Sequence, residues 1–489
     1  MPSLPSALYS AAQSRELDAR VTRGLGIAGV ELLERAGAAA WEALSATWPH
    51  ARRIAVVCGG GNNGGDGYVV ARLAKESGRD VRLLACTPPA ELRGDAAAAA
   101  RKAGMDARAF APEELAGADL IVDAIFGTGL ARDVDGSLRD AIDAINATGS
   151  PVFAVDIPSG LSADTGAVLG AAVRAAATVT FIGLKPGLFT GAGTEHAGRV
   201  LFRDLGAPSS VYDGIEPAAR RIDLPALASL LPRRRRDAHK GDFGHVLVIG
   251  GDYGFAGAPR MAAEAAARAG CGLVTVATRP EHALLIPAAR PELMARGIAT
   301  PSDLSAVLER ADVVAIGPGL GNSDWSRKLL ARVMEARQPL VLDADALNLL
   351  AAEPARSDRW IVTPHPGEAA RMLGATAAAV QSDRLRATAE LRTRYGGVAV
   401  LKGSGTIIAA GDGAPSICSD GNPGMASGGM GDVLTGVIAG LLAQGFAPAD
   451  AARLGVCLHA AAADQAAADG ERGMLAGDLL PRIRKFANP

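Results

Sequence analysis

Apolar residues recur at helical spacing from Ser14 to Trp48, and the pattern then changes to short, continuous apolar runs separated by alanine-rich stretches. The first run is IAVVCGG, Ile54 to Gly60, and others follow at Asp80–Cys86, Leu120–Gly127, Pro151–Gly160 and Ala177–Gly183. Such runs, bounded by glycine or proline, read as strands buried on both faces, with helices between them. A second series opens with HVLVIGG, His245 to Gly251, and continues at Leu273–Thr278, Asp312–Gly321, Pro339–Asn348 and Gly397–Thr406. Alternating strands and helices predict an α/β chain with two parallel sheets, each covered on both faces.

Between the series lie Pro217, Pro225, Pro232 and the run Arg233–Arg236, which read as a solvated linker; the alternative is a phosphate-binding patch. The expected division is a first domain over 1–222, a linker over 223–237 and a second domain over 238–489. The halves echo one another, as in VVCGG and LVIGG, but the spacings differ and the intervening segments do not match. Shared α/β grammar explains this better than a true repeat.

At 489 residues the chain exceeds what one hydrophobic core supports, in keeping with two domains. A net charge of −2 supplies no basic field, so no nucleic-acid partner is expected. No apolar run approaches the roughly 18 residues that span a bilayer, and Leu434–Ala443, interrupted by glycine, reads as a packed helix. No membrane partner or targeting segment is expected. Five scattered cysteines without metal-ligand spacing read as reduced thiols and a cytoplasmic location. A homo-oligomer is expected.

Candidate chemistry gathers at strand ends. Asn62, Asn63, Gly64, Gly65, Asp66 and Gly67 follow the first strand and precede a helix predicted over Tyr68–Ser77, where open α/β sheets bind ligands. Asp123, Asp156 and Lys185 stand at the ends of three further strands. Each has a bland reading: a tight turn, a helix cap, a braced loop or a surface lysine. Together they converge on one crevice, and carboxylates buried there call for a cation or a reacting proton.

The motifs NNGGDGYVVARLA, DAIFGTGLARDV, VDIPSGLSADTG and GLKPGL resemble those of the NAD(P)H-hydrate epimerases over roughly residues 10–215. The resemblance implies a Rossmann-like three-layer αβα sandwich that interconverts the R and S epimers of nicotinamide cofactors hydrated at ring carbon six. It also implies a potassium ion held by Asn63, Asp123 and Ser159. The cofactor would be contacted by Asn62, Asn63, Gly64, Gly65 and Asp66, by Gly127, Thr128, Gly129, Leu130, Ala131 and Arg132, and by Asp156. Inverting that carbon needs an acid or base in reach; Asp156 is the first choice and Lys185 the second.

In the second half, GNPGMASGGMGDVLTG (Gly421–Gly436) puts glycines before an apolar helical stretch, so free N–H groups and the helix dipole face any phosphate. Asp432 at that helix start is either a cap or the base for a hydroxyl attacking a phosphoryl group. Lys402, Gly403, Ser404, Gly405 and Thr406 end a strand in a turn suited to nucleotide phosphates. His365 is fixed between two prolines, and Gly317–Gly321 admits close backbone approach.

With HKGDFGHVLVIGG, GFAGAP and TPHPGEAARML, these motifs resemble the ADP-dependent NAD(P)H-hydrate dehydratases of the ribokinase-like fold, also an αβα sandwich, over about residues 238–487. The resemblance implies that Ala258, Gly319, His365 and Asp432 contact the hydrated cofactor and that Lys402–Thr406 with Gly431 bind the nucleotide. The implied reaction phosphorylates the ring hydroxyl with ADP, or ATP, with magnesium on the nucleotide phosphates, and then eliminates phosphate. Asp432 would be the base and the 428–431 amides the anion hole. Cys271 departs from the family's usual alanine. Two rival readings remain: a kinase of a vitamin-precursor alcohol, since this fold hosts many substrates, and a first domain that only binds.

Overall fold

The computed structural model describes residues 4–488, and the chain divides into two compact units after Arg221. In the first unit the strands are β1 (Ala7–Leu8), β2 (Arg53–Cys58), β3 (Asp80–Ala85), β4 (Arg108–Ala109), β5 (Leu120–Ala124), β6 (Val152–Val155), β7 (Ala177–Phe181), β8 (Arg199–Arg203) and β9 (Ala219–Arg221). Seven of them form a sheet in the order β4-β3-β2-β5-β6-β7-β8, parallel throughout, and β1 pairs antiparallel with β9. The chain reverses its direction of winding between β2 and β5, which opens a crevice beyond their carboxyl ends.

Helices α1 (Ala11–Leu25), α2 (Gly29–Thr47), α3 (Asn62–Glu76) and α4 (Gly94–Ala103) cover one face, and α5 (Gly136–Ala147) lies on the other. Strand residues alternate between the two cores: Ile54, Val56 and Cys58 join the first, Ala55 and Val57 the second. Burial on both sides is why these strands read as unbroken apolar runs.

Helix α3 begins six residues earlier than the sequence predicts, so NNGGDG forms its first turns and not a preceding loop. The glycines serve close packing. A Cβ on Gly64 would stand 2.0 Å from the Gly59 carbonyl oxygen, and one on Gly67 would stand 2.7 Å from both Ala124 Cβ and Cys58 Sγ.

The second unit's strands are β10 (His245–Ile249), β11 (Leu273–Thr278), β12 (Met294–Gly297), β13 (Val313–Ile316), β14 (Leu340–Leu342), β15 (Trp360–Val362), β16 (Val398–Leu401), β17 (Thr406–Ala409) and β18 (Ser416–Cys418). They run in the order β18-β17-β16-β15-β14-β13-β10-β11-β12, parallel from β16 to β12 and antiparallel from β16 to β18. The antiparallel edge departs from the all-parallel expectation, because KGSGT returns the chain directly and not through a crossover helix.

One face carries α6 (Gly257–Arg268), α11 (Met430–Ala443), α12 (Pro448–Ala466) and α13 (Ala476–Phe486); the other carries α7 (Asp324–Met334), α8 (Ala344–Ala352), α9 (Pro366–Leu373) and α10 (Arg384–Tyr395). Helix α11 is buried over most of its length, as its apolar sequence predicts, and no helix of the described residues is long and apolar enough to cross a membrane.

The stretch expected as a linker falls within this second unit; residues 232–237 are exposed, as expected, while the part before them packs on its core. Asp223 caps a short helix, Leu224–Leu227, and Leu224, Leu227, Leu230 and Leu231 pack on its core. Leucines spaced three or four apart gave the signal, masked by the prolines and arginines around them. Arg234 stacks on Phe243 at 3.7 Å and bonds Gln444 at the end of α11.

Candidate active sites

The first unit holds a cavity of about 950 Å³ at its topological switch point. Asn62, Asn63 and Asp66 from α3, residues 127–132 after β5, and Asp156 and Lys185 after β6 and β7 line it. Gly64 and Gly65 do not; they face protein, Gly65 against Leu33.

Asp156 sits one residue past β6 in the left-handed region, with φ +66°, which aspartate tolerates better than most residues. Its Oδ1 accepts a hydrogen bond from Lys185 Nζ at 2.5 Å, and the same ammonium donates to Thr180 Oγ1 at 2.8 Å. Lys185 is buried, so this pair compensates its charge inside the wall. Burial first, then the charges of Asp156 and Asp18, holds the Asp66 carboxyl well above its usual range.

Asp123 and Ser159 lie beneath the cavity and not on its surface. Asp123 is fully buried and accepts bonds from Ser159 Oγ at 2.6 Å, Ser159 N at 2.8 Å and Ile125 N at 3.3 Å. Burial pushes its carboxyl up to about 6, against these bonds. Ser159 Oγ also accepts from Phe126 N at 2.8 Å, which ties the pair to Gly127. A Cβ on Gly127 would lie 3.1 Å from Asp156 Oδ2 and 3.4 Å from Asn63 Cβ, so these groups meet at one corner. Asn63 is buried, and neither its amide oxygen nor its nitrogen finds a partner among the described residues. A buried amide oxygen, a carboxylate and a serine are the hard oxygen donors that an alkali cation takes.

In the second unit the candidate residues stand at the carboxyl ends of β10, β13, β15 and β16 and at the start of α11. Gly319, with φ +56°, lies against Ala258 and Phe255; a Cβ there would stand 3.2 Å from Ala258 Cβ and 2.7 Å from Phe255 Cβ. Phe255 is largely exposed, offering a ring surface at this corner. Asp432 occupies the first turn of α11 behind Gly429, whose φ of +91° turns the chain into the helix. Burial, and then Asp343, pushes the Asp432 carboxyl up to about 7, with Lys402 opposing.

Lys402 faces carboxylates: its Nζ is 2.6 Å from Asp343 Oδ1 and 3.8 Å from Glu368 Oε2. A Cβ on Gly431 would stand 3.1 Å from that ammonium. Burial raises Asp343, but Lys402 and the hydroxyl of Thr435, at 2.8 Å, outweigh it and keep the carboxyl below its usual range. His365 caps α9, its Nδ1 accepting from Gly367 N at 3.0 Å and Glu368 N at 3.3 Å, while half of its ring stays exposed.

Sequence reasoning missed four contributors. Asp343 was hidden inside an expected strand, Pro339–Asn348, that in fact ends at Leu342; a carboxylate directly after an apolar run was the available signal. Glu368 and Thr435 carried none on their own. Arg384 is fully buried and donates to the carbonyls of Leu401 at 3.2 Å, Lys402 at 3.1 Å and Gly405 at 3.4 Å, thereby shaping the 402–406 turn from behind.

Arg384→Met strands those carbonyls, so it is expected to destabilise the second unit by on the order of 3 kcal/mol and to raise the nucleotide KM. Denaturant midpoints and nucleotide titrations check both effects; an unchanged nucleotide KM in the folded variant removes the link to the turn.

Comparison with known proteins agrees with this geometry in each unit. The family described as NAD(P)H-hydrate dehydratase matches residues 246–485, and that described as YjeF-related protein N-terminus matches residues 29–187. A Coxiella burnetii protein named bifunctional NAD(P)H-hydrate repair enzyme Nnr is 49% identical over 488 residues, covering 99% of this chain and 100% of its own length. An Escherichia coli protein of the same name is 48% identical over 495 residues, covering 100% of this chain and 95% of its own length. Among solved structures, a ribokinase-like superfamily protein from Enterococcus faecalis is 32% identical with a TM-score of 0.51, covering 56% of this chain and 98% of that one. With two strand-end sites and likeness over its full length, the chain belongs to the family of bifunctional NAD(P)H-hydrate repair enzymes.

Proposed function

We propose that the chain repairs hydrated nicotinamide cofactors at two sites: the first unit interconverts the R and S epimers of NADH and NADPH hydrate, and the second dehydrates the S epimer with ADP, giving AMP and phosphate. The observation that carries this reading is Asp432, a carboxylate tuned near neutrality at the start of a glycine-led helix and within the field of Lys402.

In the second site the ring hydroxyl attacks the terminal phosphoryl group of the nucleotide while Asp432 accepts the hydroxyl proton. The α11 amides and the helix dipole stabilise the charge that develops on that group. Phosphate then leaves as the ring carbon–oxygen bond breaks, the ring nitrogen assisting, and loss of a proton from the neighbouring carbon restores the dihydropyridine. Ala258, Gly319 and Phe255 shape the ring pocket, His365 borders it, and the 403–406 backbone with Gly431 receives the nucleotide. Among the described residues no three His, Cys, Asp or Glu side chains meet as a metal site. Magnesium suits a site that receives nucleotide phosphates, since it is commonly held by those phosphates and one or two carboxylates; Glu368 would be the candidate here, and the ion would shield phosphate charge.

In the first site Asp156 transfers the proton of the hydroxyl on the hydrated carbon and Lys185 fixes its orientation. Asn63, Asp123 and Ser159 would hold potassium, whose charge would anchor cofactor phosphate. The unpartnered Asn63 amide supports that assignment. All five cysteines are free thiols, which supports a cytoplasmic location.

The test is to give the purified protein a mixture of both NADH-hydrate epimers. With ADP and magnesium, absorbance of the reduced nicotinamide is expected to return for the whole mixture, and without nucleotide for none of it. A stable phosphorylated product with no return of absorbance establishes the kinase alternative instead.

A further inference from the structure

Helix α1 lies outside residues 29–187, the part of the first unit that the family matches, yet it forms one wall of the 950 Å³ cavity. Ser14, Arg15, Asp18, Ala19 and Thr22 line it, the spacing of a single helical face. The helix is anchored for this purpose. Ser10 and Gln13 form a capping box at its start, Ala11 N donates to Asp164, and Leu17 lies fully buried with its Cδ1 against Gly183, two residues before Lys185.

On that face Ser14 is 5% exposed, and its hydroxyl has no hydrogen-bond partner among the described residues. A buried hydroxyl on a cavity wall without a protein partner is one a ligand satisfies. Asp18, one turn further on, is an exposed residue that lines the same cavity, its carboxyl partly desolvated by the walls. The charged groups that share the cavity with it are Arg15 on its own helix, Asp66 on α3, Asp95 on α4, Arg132 after β5, Asp156 after β6 and Lys185 after β7.

We propose that Asp18 is a second catalytic residue of the epimerase, exchanging a proton with the ring hydroxyl from the α1 wall while Asp156 acts from the β6 wall, and that Ser14 hydrogen-bonds the bound cofactor. This rests on the epimerase reading of the first unit.

Epimerisation has a symmetry that one proton carrier serves poorly, because the hydroxyl leaves one face of the ring and returns to the other. Asp18 in its acid form protonates the departing hydroxyl. The carbon–oxygen bond breaks, water is released and the ring nitrogen's electron pair completes a carbon–nitrogen double bond. Water then adds from the opposite face, its proton passes to the Asp156 carboxylate, and the nitrogen recovers its pair. One proton has moved from Asp18 to Asp156, and exchange with solvent through the cavity resets the pair before the next turnover. The two environments are set apart for these roles. Asp156 is held by the Lys185 ammonium at 2.5 Å, while the cavity walls, opposed by Lys185 and reinforced by Asp156, push the Asp18 carboxyl up to about 6.

Exchange between the two NADH-hydrate epimers, measured on the full chain without nucleotide, tests this. Asp18→Asn is expected to lower kcat by about 100-fold or more with KM changed less than about threefold. It should also abolish the decline in rate expected of the wild type as pH rises through about 6. Ser14→Ala is expected to raise KM several-fold with kcat retained. Because Asp18 is exposed, the variant keeps the fold, which its melting temperature checks. Wild-type kcat in Asp18→Asn, or a change confined to KM, overturns the proposal and leaves the epimerase reading standing; absence of exchange in the wild type removes both.

Discussion

Asp432→Asn is expected to lower cofactor restoration by about 10³-fold, within the range for losing a general base, while epimer exchange in the first unit continues at the wild-type rate. The base must be ionised to take the hydroxyl proton. Burial and Asp343 hold its carboxyl at about 7, so the wild-type dehydration rate should climb as pH rises through about 7 and then level off. The variant keeps only a residual rate without that limb.

Stability should move the other way. A carboxyl raised in the folded state binds its proton there more readily than in the unfolded chain, so its contribution to stability falls as pH rises from about 4 towards 7. Asparagine has no such loss. The variant should therefore match the wild type near pH 4 and melt at a higher temperature near pH 8. A rate limb that persists in Asp432→Asn assigns the base elsewhere, Glu368 being the other carboxyl at that cluster raised by its burial.

What the sequence made legible was the placement of candidate residues at strand ends. Asp156 and Asp432 stand beside their expected neighbours because a parallel sheet with crossover helices delivers every strand's carboxyl end to the same edge. Boundaries were less legible wherever glycine had two meanings. NNGGDG and KGSGT both read as turns; the first begins a helix whose glycines let it lie on β2 and β5, and only the second is a turn. The hidden residues share one cause: Asp343, Arg384 and Asp18 act through groups distant in sequence. Lys402 meets Asp343 across 59 residues, and Arg384 reaches carbonyls 17 to 21 residues away. Asp18 lines the same cavity as Asp156 and Lys185 from a helix whose own pattern says only that it is amphipathic.

Asp156→Asn is expected to reduce epimer exchange by about 10³-fold and also to lower the melting temperature, and the two effects have separable origins. The backbone contributes neither, since asparagine accepts the left-handed conformation at φ +66° as readily as aspartate. Stability falls because Lys185, 2% exposed, loses the carboxylate 2.5 Å from its ammonium. An uncompensated buried charge costs on the order of 3 kcal/mol, softened here by Thr180 and the Phe181 carbonyl, which still accept from it. Adding Lys185→Met removes the stranded charge, so the double variant should regain most of the lost stability. Its exchange rate should stay low, because the proton carrier is still missing. Recovery of exchange together with stability would reduce Asp156 to a structural counter-ion and hand the proton transfer to another carboxylate of the cavity.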